Sequence, residues 1–123
     1  MWSVDKDFEA GRFAPRRGMQ ARLDRLVDLV AAECGVSSRL VRHASRCRAP
    51  VAHARQLAMY LTHVMLGESL TAVGLAFGRD RTTVSHACAR IEDLRDDTAF
   101  DARVERLEDQ IARWTEEVCH EHA

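Results

Sequence analysis

Asp80, Arg81, Thr82 and Thr83 stand in one unbroken run, with Arg79 before them and His86 three positions beyond. Arginine offers paired donors, aspartate accepts, and threonine does both, which is the inventory that bonds base edges and phosphate oxygens. Catalysis by a nucleophile would need a base and an orienting acid around a cysteine or serine. Cys88 falls instead on an apolar stripe with Val84, Ala87 and Ile91, and the surrounding segment holds no carboxylate pair. The reading is therefore of a binding protein, not an enzyme. Cys119-His120-Glu121-His122 forms one terminal cluster without a second pair to close a tetrahedral site, so no metal is expected. Cys34, Cys47, Cys88 and Cys119 include no C-x-x-C pair and are read as reduced thiols.

The elements that must hold this run in place are helical. Ala, Leu, Arg, Glu and Val dominate 123 residues that contain two prolines and six glycines, which predicts one all-α domain. Leu23, Leu26, Val27 and Val30 repeat at helical spacing from about Gln20 to Glu33, and Gly35 supplies the stop. A short helix follows Ser37, with Leu40 and Val41 as its apolar grip. The loop Ser45–Pro50 then turns the chain. The spacing predicts a third helix over Val51–Leu66, with Leu57, Met59, Tyr60, Leu61, Val64 and Met65 mostly in the core. Ser69 caps a short helix, Leu70–Phe77, whose Leu70, Val73, Leu75 and Phe77 are expected to face inward. Gly78-Arg79 breaks it, and Asp80 opens the next helix. A last helix is expected from about Thr98 to His120. This divides the chain into an arm (1–19), a helix-turn-helix domain (20–97) and a C-terminal amphipathic helix (98–123).

The net charge of −1 conceals an uneven distribution. Leu40–Arg90 carries seven arginines against two acids, whereas the chain from Ile91 onward carries four arginines against eleven acids. Such a basic middle suits a polyanion, although chance clustering on a solvated surface gives the same count. By helical pattern alone, 68–90 is either a DNA-binding helix-turn-helix or an ordinary helical hairpin. The seam Phe100, Val104, Leu107, Ile111, Trp114 and Val118 likewise has two readings. It packs on its own domain, or it joins a second copy as a homodimer or holds a partner helix. The longest uncharged run, Gln56–Gly67, spans 12 residues, too few to cross a bilayer, and no secretion signal opens the chain. A cytoplasmic, nucleoid-associated protein with no membrane partner is expected.

The residues themselves narrow these choices. Ala54-Arg55-Gln56-Leu57-Ala58-Met59-Tyr60-Leu61, then Ser69-Leu70, Val73-Gly74 and Ala76 to Val84, then His86-Ala87-Cys88 and Ile91-Glu92, form a linear signature. It closely resembles the C-terminal DNA-binding domain (domain IV) of the bacterial replication initiator DnaA. That family's motif runs R-Q-x-A-M-x-L, then S-L-x-x-I-G-x-x-F-G-G-R-D-H-T-T-V-x-H-A. The resemblance covers roughly residues 20–97 and implies a compact, Trp-repressor-like helical bundle with a helix-turn-helix, here followed by an extra helix. It implies double-stranded DNA as partner, read in the major groove by Arg79, Asp80, Arg81, Thr82 and Thr83. Arg55 and Gln56 match a backbone-contacting pair, Ser69-Leu70-Thr71 a phosphate-facing helix start, and His86 a supporting position. Arg46 or Arg48 matches an arginine placed in the minor groove. The expected role is regulation of replication initiation or of transcription at sites like the initiator's boxes. The alternative is an interaction module that kept the fold without DNA binding.

Two departures stand out. Arg81 occupies the place of the motif's first histidine, and Gly78 stands alone where the motif has a glycine pair. Both put the preferred DNA sequence in question. No G-x-x-x-x-G-K-[ST] stretch is present, and Lys6 is the only lysine, so no nucleotide or other cofactor is expected.

Overall fold

The computed structural model describes residues 19–43 and 49–122, and among these it shows six helices and no strand. They are α1 (Met19–Cys34), α2 (Ser38–His43), α3 (Ala49–Met65), α4 (Leu70–Phe77), α5 (Arg81–Leu94) and α6 (Thr98–His122). Residues 1–18 of the expected arm, and the stretch 44–48 with Arg46 and Arg48, lie outside the described residues, whereas Met19, read as the end of the arm, opens α1 and is buried.

α3 is the axis of the molecule and touches each of the other five helices. Its sequence explains this position. Leu57 to Thr62 are buried without interruption, so this helix is apolar on every side and needs neighbours all round. Pro50 sits in its first turn, where a missing N–H costs nothing. The other helices each contribute one stripe: Leu23, Leu26, Val27 and Val30 from α1, Val73 and Phe77 from α4, Val84, Ala87 and Ile91 from α5. α1 ends in a paired closure, Val36 N–H on the Ala31 carbonyl at 3.0 Å and Gly35 N–H on Ala32 at 3.3 Å.

Three apolar expectations are corrected, the first at Leu40, which is 46% exposed and leaves Val41 as the buried apolar residue of α2. Leu75 is 48% exposed, because α4 is only eight residues long and its single inward stripe is taken by Val73 and Phe77. Val64 is 43% exposed, in the last turn of α3, where the other helices no longer enclose it.

α6 settles the seam over its described part. Val104, Leu107, Ile111 and Trp114 are buried in the common core, with α6 packed on α1 and α3. Burying each aliphatic side chain is worth about 1.5–3 kcal/mol, against at most about 1 kcal/mol for the exposed Arg103–Glu33 pair at 3.0 Å. The apolar stripe therefore holds α6, and over 104–114 the seam follows the first of its two readings, packing on its own domain. Arg25 closes the end by stacking its guanidinium 4.2 Å from the Trp114 ring. Val118 falls outside the described side chains.

At the corner between α5 and α6, Arg95 joins three helices. It caps α5, donates to Asp101 and Glu108 of α6, and donates to the Tyr60 hydroxyl of α3 at 3.0 Å. Tyr60 in turn donates to Glu92 at 2.8 Å. Cys34 and Cys88 are free, half-buried thiols, each pushed up in pKa by burial. No described helix is long and apolar enough to cross a membrane.

Candidate nucleic-acid interface

The exposed run of α5 is built from the turn that precedes it. Ser69 opens α4 by accepting the Ala72 N–H at 3.0 Å. Gly78 closes it in the left-handed region, φ 68°, where a β-carbon is disfavoured. Arg79 N–H then donates back to the Gly74 carbonyl at 2.8 Å. The same approach leaves no room on Gly74, where an added β-carbon would lie 2.4 Å from the Arg79 carbonyl oxygen. Asp80 caps α5, its Oδ1 accepting the Thr83 N–H at 2.7 Å. That bond holds its carboxyl below the usual carboxylate range. The turn thus forms with a single glycine, and three residues separate α4 from α5.

Val84, Ala87 and Ile91 point inward, with Cys88 and Leu94 partly buried beside them, and the other side of α5 faces solvent. Arg81, Thr82, Thr83, Ser85, His86, Ala89 and Arg90 are all exposed. Helical spacing sorts them. Thr82 and Ala89 lie opposite the core, Thr83, His86 and Arg90 form one flank, and Arg81 and Ser85 form the other. The first flank borders a cleft of about 290 Å³ against α3, whose lining includes Arg55, Gln56, Arg79, Thr83, His86 and Arg90. Five residues expected at the site therefore converge on one place. Asp80, Arg81 and Thr82 do not line it and stand outside it at the start of α5. Ser69 and Thr71 are exposed at the start of α4, with Leu70 half-buried beside them.

Arg90 and Ser85 belong to this surface and were not among the expected residues. Both could have been found by continuing the helical period, Arg90 four residues after His86 and Ser85 three after Thr82.

The arginines divide by what they already hold. Arg55 is buried, 6% exposed, and donates through Nε to the Val41 carbonyl at 2.8 Å and through Nη2 to Leu40 at 2.9 Å. It satisfies the final carbonyls of α2, which that short helix cannot satisfy itself. Arg79 donates to the Gly78 carbonyl at 3.1 Å and bridges the turn. Among the described residues, Arg81 and Arg90 have no hydrogen-bond or ion-pair partner. Arg55→Ala is accordingly expected to cost about 2–3 kcal/mol of stability by orphaning charge-assisted carbonyl bonds. Urea denaturation checks it, and an unchanged midpoint would show that the α2 carbonyls do not depend on Arg55.

The comparisons agree with this geometry. The family model for the bacterial DnaA protein helix-turn-helix matches residues 23–91. The chromosomal replication initiator protein DnaA of Symbiobacterium thermophilum is 38% identical over 95 residues, covering 76% of this chain and 20% of the relative. That of Deinococcus radiodurans is 37% identical over 106 residues, covering 85% of this chain and 22% of the relative. The chain thus spans about a fifth of the length of these relatives. With the family model matched over more than half of the chain, across α4, the tight turn and α5, the chain belongs to the DnaA C-terminal helix-turn-helix family.

Proposed function

We propose that this chain binds double-stranded DNA in a sequence-specific manner, inserting the first turns of α5 into the major groove. The carrying observation is the exposed Arg81, Thr82 and Thr83 at the start of α5, beside a cleft that gathers Arg55, Arg79 and Arg90. Its physical logic is a division of labour, in which side chains at the helix start address bases and the cations beside it address phosphates. Arg90 takes the phosphate role with its free guanidinium. Arg55 supports it from behind, fixing α2 and hence the point from which the chain carrying Arg46 and Arg48 departs. Gln56, His86 and the Ser69-Leu70-Thr71 helix start complete the phosphate-facing rim. This reading requires no enzyme chemistry, nucleotide, metal or membrane, and its biological setting is replication initiation or transcription at initiator-box-like sites on the nucleoid.

Replacing Thr82 and Thr83 with alanine should cost about 1–3 kcal/mol on the preferred site for each well-formed base pairing removed, and little on random duplex. Arg90→Ala should weaken both duplexes alike and reduce the slope of log affinity against log salt by about one. Binding titrations at several salt concentrations read both effects. Equal losses on preferred and random DNA for the threonine pair would remove the recognition role from α5.

A further inference from the structure

We propose that Arg81 is the residue that sets base preference, and that it reads a guanine. This rests on the DNA-binding reading above and adds to it a specific side chain and a specific base. Four observations carry it. Arg81 occupies the first position of α5, and side chains in a helix tilt toward its N-terminus, so this one extends past the helix end. It is exposed and has no partner among the described residues, whereas Arg55 and Arg79 are committed to backbone carbonyls. Its neighbouring acid is turned back onto the helix start, where Oδ1 of Asp80 accepts the Thr83 N–H, and forms no ion pair with Arg81. Finally, the outward stripe of α5 through its first turns is made of Thr82, Ser85 and Ala89, all small, and Asp93 extends it only in the last turn. A helix with so low a profile can sit deep in a groove about 12 Å wide, bringing a long first-turn side chain to the groove floor.

At that depth the chemistry selects the base. The guanidinium presents two parallel N–H donors that match the O6 and N7 acceptors of guanine, and adenine offers an N6 donor where the second acceptor is needed. A phosphate would accept the same fork without discrimination, but Arg90 on the cleft-side flank is the cation placed for that purpose. Arg81 and Ser85 stand on the other flank, away from the cleft.

The experiment is selection from a random duplex library with the parent protein, Arg81→Ala and Arg81→Gln, followed by titration on the selected site. The parent should enrich a site with a defined guanine. Arg81→Ala should lose about five- to 150-fold on that site and nothing on the same site with the guanine replaced. Arg81→Gln should shift that one position toward adenine, whose N6 and N7 a glutamine amide can pair. Arg81 is exposed and partnerless, so both variants should melt with the parent, which a thermal scan verifies. A parent that enriches no duplex overturns the DNA-binding reading and this assignment with it. A parent motif that both variants enrich unchanged, or a loss from Arg81→Ala that is equal on all duplexes, overturns the Arg81 assignment alone.

Discussion

Ile111→Glu should cost at least about 4 kcal/mol and leave most of the chain unfolded or marginal at 37 °C. Ile111 is fully buried, with Val104 and Leu107 along the same stripe of α6, and α6 lies against α1 and α3. A carboxylate there would have no cation or donor within the apolar core, so it must ionise at great expense or protonate and still lose its hydration. Arg113→Glu supplies the control, because Arg113 is exposed and its replacement stays within about 0.5 kcal/mol. Guanidinium denaturation of both variants, at two protein concentrations, is the measurement. The parent midpoint should not move with concentration, since the buried stripe is satisfied within one chain. A parent-like midpoint for Ile111→Glu would mean that α6 does not pack on the core in solution.

Gly74→Ala comes next in size, and its effect reaches function directly. The added β-carbon would approach a backbone oxygen, that of Arg79, at 2.4 Å, and no side-chain rotation can relieve it. Either α4 and the turn separate, breaking the Arg79–Gly74 backbone bond, or the strain stays in place. Overpacking of this kind costs about 1–3 kcal/mol and the broken bond about 1 kcal/mol more, so a total of about 2–4 kcal/mol is expected. Because the displaced segment is the one that aims α5, the proposed sequence-specific DNA binding should fall even in conditions where the variant remains folded. Gly78→Ala isolates the conformational part, since nothing lies within 4 Å of its β-position and only the left-handed backbone is penalised, at about 1 kcal/mol. Thermal melts together with binding titrations compare the two. If Gly74→Ala proves no worse than Gly78→Ala in both, the close approach of the two backbones is not a requirement of the fold.

What the sequence makes legible are the features whose cause lies within a few residues. The Asp80 and Ser69 caps, the glycine break and the inward stripe of α5 are local, since each partner sits three or four positions away. The elements follow from hydrophobic period for the same reason. Arg55 illustrates the opposite case. Its partners, the carbonyls of Leu40 and Val41, lie in another helix, and the residue type alone suggests only DNA when the fold gives it a buried duty as well. The α6 seam is ambiguous in sequence for a related reason: an amphipathic stripe shows that a face is buried but not what covers it. Leu75 departs from expectation because α4 is too short to be enclosed on two sides, a property of packing that no local pattern records.

The mounting of α5 has a mechanical consequence. One end is pinned by the backbone link between Arg79 and Gly74, the other by Arg95 bound to α3 and α6, and the inner face is locked into the core. The helix therefore behaves as a stiff probe with little freedom to roll or slide against the rest of the chain. For a duplex bound to it, any mismatch of curvature or groove width has to be taken up by the DNA. Base steps that unstack or bend easily would then favour binding at positions no side chain reaches, with a deformation cost on the order of 1–6 kcal/mol for a strongly bent site. Preference among sites sharing the same directly read bases would follow the flexibility of the DNA between and beside them.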